Sequence, residues 1–282
     1  MRPVVTRCKK IIGNGTVSIK AVILSLPKDV ERRRFCESEF ARFGLNHEFC
    51  DAIAGDQLNN SELHHLYDAD MNRIKFKRPL SRNEVACTLG HRQIWQEVAD
   101  SSDCVSLVLE DDATFVQDPR PFFNELAECG ECFEDVMIKI DGVSGNNGQV
   151  IKSVADQDLV LSDRLPPRTT GYIIGRRAAA QLLAIEAPIT RPIDIDLKFY
   201  WEHNVPILTL AEQMVAERKE TDSTIDHCRS KMKPGSPMAR FVRNLMYQTK
   251  YTYGRLSHPL NPDMIEGLGP LMQAGNRVRN RA

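Results

Sequence analysis

Three adjacent carboxylates, Glu110-Asp111-Asp112, follow directly on the apolar run Val105-Ser106-Leu107-Val108-Leu109. Two unit charges about 4 Å apart repel by about 1 kcal/mol in water and several-fold more near a protein interior. Acids at the end of a buried-looking strand therefore call for a compensating group. Strand alternation directs Glu110 and Asp112 to one side and Asp111 to the other. A pair of oxygen donors so placed suits a hard divalent cation, Mg²⁺ or Mn²⁺, which keeps positions open for substrate phosphates. The alternative is a solvated acidic turn. A second acidic pair, Asp194 and Asp196, lies in Arg191-Pro192-Ile193-Asp194-Ile195-Asp196. In an extended segment both would share one side, where one could complete a metal shell or act as a general base. Either could instead cap a helix beginning at Leu197. His91 is read as a hydrogen-bonded core histidine or as a ligand. Arg32, Arg33 and Arg34 are helix-surface charges, one of which could meet a phosphate or a nucleobase.

The elements that must hold these groups are legible from periodicity. Ile19 to Leu26 reads as a buried first strand ended by Pro27. A helix capped by Asp29 follows, carrying Cys36, Phe40 and Phe43 at helical spacing and stopping at Gly44. Leu80-Ser81-Arg82-Asn83-Glu84-Val85 gives the clearest helix start: Ser81 and Glu84 form a capping box, with Leu80 and Val85 as a hydrophobic staple. That helix should run to about Ala99, with Cys87, His91, Ile94 and Val98 on one face. After the acidic strand, Asp118-Pro119-Arg120-Pro121 opens a helix closed by Gly130. Val136 to Ile140 is a short strand before an Asp141-Gly142 turn, and residues 142–168 read as surface loop. Tyr172-Ile173-Ile174 is a strand and Arg176 to Ile185 a helix. Strands alternating with helices predict an α/β layer fold.

The chain has 282 residues, 42% hydrophobic and 27% charged, which describes a globular protein with a sizeable core. The net charge of -1 conceals a division: residues 229–282 carry ten Lys/Arg against two Asp/Glu, leaving the first 228 residues acidic. Signatures of P-loop, dinucleotide-binding, hydrolase-elbow and zincin chemistry are missing. Two Trp and six Tyr, without aromatic-basic interleaving, argue against a nucleic-acid module. Eight scattered cysteines suggest reduced thiols, with Cys129-Gly130-Glu131-Cys132 an isolated CxxC. The N-terminal segment lacks the apolar stretch of a signal peptide, and no apolar run nears the ~18 residues of a membrane span. The expected address is the cytoplasm. The expected units are a loose N-terminal extension over 1–17, one domain over 18–228, and a basic helical tail over 229–282. In the tail, Ser236 and Pro237 start a helix with Arg240, Arg243, Tyr247 and Lys250 on one face and Met238, Val242 and Leu245 on another. Such a helix docks on an anionic membrane surface or packs, solvated, against the core.

With these blocks in view the chain resembles the glycosyltransferase 25 family, the lipooligosaccharide and procollagen galactosyltransferase relatives. The resemblance runs through Leu24-Ser25-Leu26 with Glu31-Arg32, then Ala52-Ile53-Ala54-Gly55. It continues through Leu80-Ser81-Arg82-Asn83-Glu84-Val85-Ala86-Cys87-Thr88-Leu89-Gly90-His91 with Ile94-Trp95, the most distinctive stretch. Leu107-Val108-Leu109-Glu110-Asp111-Asp112, Thr170-Gly171-Tyr172-Ile173-Ile174 and Pro192-Ile193-Asp194 complete it in the family's order. Ser25 stands where Asn is usual, Asn83 where Gly is usual, and Gly90 where Ser precedes His.

The resemblance implies a GT-A-like nucleotide-binding sandwich, a mixed sheet flanked by helices, and an inverting transfer from a UDP-sugar, typically UDP-galactose. It implies Mn²⁺ or Mg²⁺ held by Glu110 and Asp112, offsetting their repulsion of the donor diphosphate. Ser25, Leu26 and Arg32 would frame the uridine at a strand's carboxyl end, with Asp111 and His91 also on the donor. Asp194 is the expected base or a further metal contact, with Asp196 the alternate. The implied acceptor is a growing glycan of a bacterial lipopolysaccharide or lipooligosaccharide, reached from the inner membrane face. A metal-dependent phosphohydrolase and a non-catalytic sugar-nucleotide-binding module are the rival readings.

Overall fold

The computed structural model describes residues 12–13, 16–17, 19–143, 148–185, 188–218, 236–260, 265 and 268–272. Strands β1 (Ile12–Gly13) and β2 (Thr16–Val17) pair antiparallel, and they are the described part of the expected extension. Then follow β3 (Lys20–Ser25), α1 (Val30–Phe43), β4 (Glu48–Asp51), α2 (Asn60–Leu66), α3 (Ala69–Lys75), α4 (Arg82–Asp100) and β5 (Val105–Glu110). The chain continues through β6 (Ala113–Phe115), α5 (Arg120–Glu128), β7 (Met137–Val143), β8 (Gln149–Val154), β9 (Gln157–Leu161), β10 (Gly171–Gly175) and α6 (Arg176–Leu183). It ends with α7 (Ile193–Asp196), β11 (Ile207–Leu210), β12 (Val215–Glu217) and α8 (Pro237–Ser257).

Eight strands form one mixed sheet in the order β4-β3-β5-β10-β7-β11-β9-β8, and β12 pairs with β6 beside it. β4, β3 and β5 are parallel neighbours, in a register that sets Ser25 against Asp51 and Leu24 against Glu110. β10 runs antiparallel to β5, with Gly171 opposite Leu109.

The apolar run of β5 is continuous because both of its faces are covered. Leu107 and Leu109 pack with Phe40, Phe115 and Phe123, on the side of α1 and α5. Val108 points the other way, into Ile94, Trp95 and Val98 of α4 and Ala178 and Leu182 of α6. Each fully buried aliphatic side chain contributes about 1.5–3 kcal/mol, so the strand that ends in acids is among the most firmly held. The capping box of α4 forms as its sequence implies: Ser81 accepts from Glu84 N–H, and Glu84 accepts from Ser81 N–H.

Several expectations are corrected. Residues 142–168 are not one loop, because β7 runs on through Asp141 and Gly142 and β8 pairs with β9. Asp29 precedes α1 without a side-chain cap bond, while Gly44 closes that helix in the left-handed conformation. Cys36, Cys50, Cys87, Cys129 and Cys132 are free thiols, but Cys104 is disulfide-bonded, against the expectation of reduced cysteines throughout.

The basic face of α8 turns inward. Arg243 donates to Asn72 Oδ1 and Phe76 O, Lys250 donates to Ile74 O, and Arg255 pairs with Asp163. Tyr247 is buried between Phe76 and Phe199. Facing out is the apolar arc of Met238, Phe241, Val242, Leu245, Met246, Tyr253 and Leu256, with Met238 70% and Leu256 68% exposed. Cations bonded to backbone carbonyls and to Asp163, with a tyrosine edge-on to Phe76 and tilted on Phe199, make the basic face the better packing surface, which periodicity alone does not reveal.

Close approach of α8 rests on Gly254, where a Cβ would lie 2.3 Å from Cζ2 of Trp201. An indole ring cannot bend aside, so Gly254→Ala should destabilise the docked helix by about 1–3 kcal/mol. The expected readout is faster limited proteolysis within 236–260 and a lower urea midpoint; unchanged cleavage would show that this contact does not hold α8.

Candidate functional site

The parallel strands β4, β3 and β5 deliver their carboxyl ends to one edge of the sheet, where open α/β sheets bind ligands. A cleft of about 530 Å³ lies there. Its walls come from Ser25, Leu26 and Arg32 after β3, from Asn83 and Cys87 on α4, and from Glu110, Asp111 and Asp112 after β5. Arg168, Thr169, Thr170, Asp194 and Glu217 close the other side. β10 contributes to this edge because it runs antiparallel: the residues just before Gly171 arrive beside the end of β5, and Glu110 N–H donates to Thr170 O at 3.0 Å.

The three acids part company once β5 ends. Glu110 Oε1 accepts from Thr169 Oγ1 at 2.5 Å and lies 3.3 Å from His91 Nε2. Burial pushes its carboxyl up, but the hydrogen bonds from His91 and Thr169 prevail and hold it below the usual carboxylate range. Asp111 takes Arg32 Nη1 at 2.7 Å, while the same nitrogen is 4.0 Å from Asp112 Oδ2. A turn, rather than continued strand, therefore places Asp111 and Asp112 on one guanidinium and Glu110 on another set of partners.

Asp112 is left short of compensation. Its Oδ1 is buried with no hydrogen-bond partner. Burial, with Glu110 and Asp111 nearby, pushes its carboxyl up to about 7 against the opposing pull of Arg32. A buried carboxylate oxygen without a donor, in a cleft that Glu110, Asp111, Asp194 and Glu217 also line, fits a hard cation with oxygen ligands. Cys87, His91 and Glu110 also bring possible ligand atoms within 4.8 Å of one another.

Asp194 also faces the cleft. Burial pushes its carboxyl pKa upward, against the pull of the nearby backbone N–H groups of Arg168 and Ile195. Asp196 is elsewhere. The segment is the short helix α7 rather than extended chain, so side chains two residues apart diverge by about 200°. Asp196 pairs with Arg191 Nε at 2.7 Å and is not part of the cleft wall. His91 is fully buried behind Glu110 and does not line the cleft either. Ser25, Leu26, Arg32, Glu110, Asp111, Asp112 and Asp194 come together in it.

Sequence reasoning passed over a second layer. Lys139 and Asp141, two residues apart on β7, share a face and form a buried ion pair at 3.1 Å. Lys139 Nζ also donates to Arg168 O and so holds the backbone of Arg168 by its carbonyl. That backbone has φ 89°, outside the range a side chain ordinarily allows, and such strain persists only where surrounding structure enforces it. A lysine in the otherwise apolar run Val136-Met137-Ile138-Lys139-Ile140 was the available signal.

Comparison with known proteins places these residues in context. The model of glycosyltransferase family 25 (LPS biosynthesis protein) matches residues 18–197. Procollagen galactosyltransferase 1-A of Xenopus laevis is 26% identical over 183 residues, covering 62% of this chain and 29% of the relative. A glycosyltransferase 25 family member of Aedes aegypti is 31% identical over 189 residues, with the same shares. Inactive glycosyltransferase 25 family member 3 of Mus musculus is 28% identical over 188 residues, covering 62% of this chain and 30% of the relative. The chain thus spans under a third of the length of these curated relatives. Among solved structures, a glycosyltransferase involved in glycosylating the major capsid of PBCV-1 aligns over 76% of this chain and 99% of that one, at 12% identity and a TM-score of 0.39. That likeness is too distant to carry an argument.

The weakly compensated Asp112 makes stability depend on pH. Its folded pKa of about 7 lies above the ordinary 3.8, so between these values the folded chain binds more of the proton than the unfolded chain does. The stabilisation is complete below about pH 4 and is lost as pH rises through 7. Asp112→Asn should therefore raise stability at pH 8 by at least about 1 kcal/mol and flatten its fall between pH 4 and 8. Urea denaturation across that range is the check, and a wild-type-like slope in the variant would refute the assignment.

Proposed function

From the premise that this chain belongs to glycosyltransferase family 25, we propose that its cleft transfers a sugar, most directly galactose, from a UDP-sugar to a hydroxyl of a growing glycan with inversion at the anomeric carbon. The observation that carries this reading is the buried, donorless Oδ1 of Asp112 in a cleft shared with Glu110 and Asp111. A folded chain tolerates such crowding of charge where function requires it, since any uncompensated buried carboxylate costs stability. The unit that does this work is residues 18–228, with 229–282 as an appendage.

Glu110 and Asp112 would hold the cation, and Asp111 stays on Arg32 beside them. A bound Mn²⁺ or Mg²⁺ supplies positive charge against the donor diphosphate and the departing UDP. Ser25 and Leu26, at the end of β3, and Arg32, on the first turns of α1, frame the uridine side. Asp194 acts as the base: it lines the cleft, and burial raises its proton affinity. The acceptor O–H gives its proton to Asp194 as the oxygen bonds to C1. The bond from C1 to the UDP oxygen breaks on the opposite face, and its electron pair leaves with UDP. The Arg168 backbone, strained and pinned by Lys139, keeps Thr169 against Glu110 while these events occur.

The family's description names LPS biosynthesis, which supports a lipopolysaccharide or lipooligosaccharide glycan as acceptor. A second reading has support in the mouse and rat relatives named inactive: a non-catalytic module that binds the sugar nucleotide. Incubation with UDP-sugars and Mn²⁺ separates these readings. Release of UDP that depends on Mn²⁺ and falls by about 10³-fold in Asp194→Asn supports transfer chemistry. Binding without UDP release supports the module, and inorganic phosphate as the product would indicate a phosphohydrolase. In calorimetry Asp112→Asn should lose Mn²⁺-dependent UDP binding, whereas unchanged affinity would remove Asp112 from the site.

An acceptor anchored in a bilayer would bring the enzyme to the inner membrane face from the cytoplasm. Among the described residues no helix is long and apolar enough to cross a membrane. The outward apolar arc of α8 supports insertion at the interface rather than docking through its cations, three of which are engaged inward. The net positive charge of residues 229–282 adds long-range attraction for anionic lipid. Phe241→Ser with Leu245→Ser should abolish co-sedimentation with anionic vesicles and leave activity on a soluble acceptor unchanged; retention on vesicles would contradict this role.

A further inference from the structure

Glu110 is backed by a chain of buried hydrogen bonds that the transfer chemistry does not itself use. Trp95 Nε1 lies 2.9 Å from Tyr172 Oη, Tyr172 Oη lies 2.9 Å from His91 Nδ1, and His91 Nε2 lies 3.3 Å from Glu110 Oε1. Tyr172 and His91 are fully buried and Trp95 nearly so, so each polar atom must find its partner within this group.

The direction of each proton follows from what the groups can do. An indole N–H only donates, so Tyr172 Oη accepts from Trp95. The phenol's single proton then points to His91 Nδ1, the other polar atom within reach. With Nδ1 accepting, the neutral imidazole carries its proton on Nε2 and donates to the carboxylate of Glu110. The reverse tautomer would turn a lone pair of Nε2 toward a carboxylate oxygen and leave the phenol proton without an acceptor. Both ends of the ring thus select the same form. Thr169 Oγ1 meets the same Oε1, which concentrates the protein's donors on one oxygen of Glu110 and leaves Oε2 to the cleft.

We propose that Tyr172, ordered by Trp95, is a positioning residue that fixes His91 as the Nε2–H tautomer and thereby holds the Glu110 carboxylate by one oxygen, with the other free for a cation. His91 is then a donor to a ligand rather than a ligand, which decides against a metal centre built from Cys87, His91 and Glu110. The inference rests on the reading of Glu110 as a cation ligand only for its consequence; the tautomer itself is a property of the chain alone. Partners that orient a metal-binding side chain from behind typically change affinity 10–100-fold when removed.

Two measurements on the full chain test it. In nitrogen-15 NMR of histidine-labelled protein, with His91 assigned by loss of its signals in His91→Gln, the wild type should show a protonated Nε2 and an unprotonated, hydrogen-bonded Nδ1. A protonated Nδ1 overturns the proposal, and this arm requires no variant at Tyr172. Titration with Mn²⁺ and UDP in a calorimeter should show about tenfold weaker binding in Tyr172→Phe and a smaller loss in Trp95→Phe, with Nδ1 moving away from its hydrogen-bonded position in the former. Wild-type affinity in Tyr172→Phe overturns the positioning role, as does a shift of His91 Nε2 on adding Mn²⁺ that marks direct ligation. Were the wild type itself to bind no Mn²⁺ while retaining the Nε2–H signature, the cation reading of Glu110 would fail and the tautomer assignment would stand.

Discussion

Negative charge gathered at the end of β5 is the constraint around which this protein is arranged. The strand is buried on both faces, so its last residues emerge where solvent can do little to screen them. Arg32 reaches across from α1 to Asp111, and His91 and Thr169 converge on Glu110. Asp112 receives less than either, with one oxygen 4.0 Å from Arg32 and the other without a donor. Partial compensation, rather than none or all, leaves the edge folded yet still attractive to a cation.

Sheet topology turns this local charge into a site. Three parallel strands bring Ser25, Asp51 and Glu110 to one edge, and β10, running the other way, begins there. The stretch before β10 consequently lies beside the acids, although about sixty residues of chain separate Thr169 from Glu110. The same edge receives Asp141 from β7, whose partner Lys139 props the strained Arg168 backbone from below. Recognition and support thus come from different strands, which lets the cleft's lining vary without loosening what holds it.

Much of this was readable in the chain, where the determinants are local. The apolar run before Glu110, the capping box of Ser81 and Glu84, and the Gly44 stop are each set by neighbours a few residues apart, and all three form. That Asp194 and Asp196 part was not legible, because strand alternation does not hold where Pro192 starts a helical turn that leaves Asp194 in the cleft and turns Asp196 to Arg191. The orientation of α8 was illegible for a different reason. Its cations find carbonyl partners on α3 and the segment after it, and its glycine finds Trp201, none of which periodicity can register. The role of Tyr172 was hidden likewise, since a tyrosine in an apolar strand reads as core until Trp95 and His91 are seen around its hydroxyl.

In the proposed function the acids at the end of β5 bind a divalent cation through Asp112. Anomalous diffraction at the manganese absorption edge, from crystals grown with Mn²⁺ and UDP, tests it most directly. The account predicts a single peak within coordination distance of Asp112 Oδ1 and a carboxylate oxygen of Glu110. A peak seated instead on Cys87 and His91, or a cleft holding UDP with no anomalous signal at all, would contradict it.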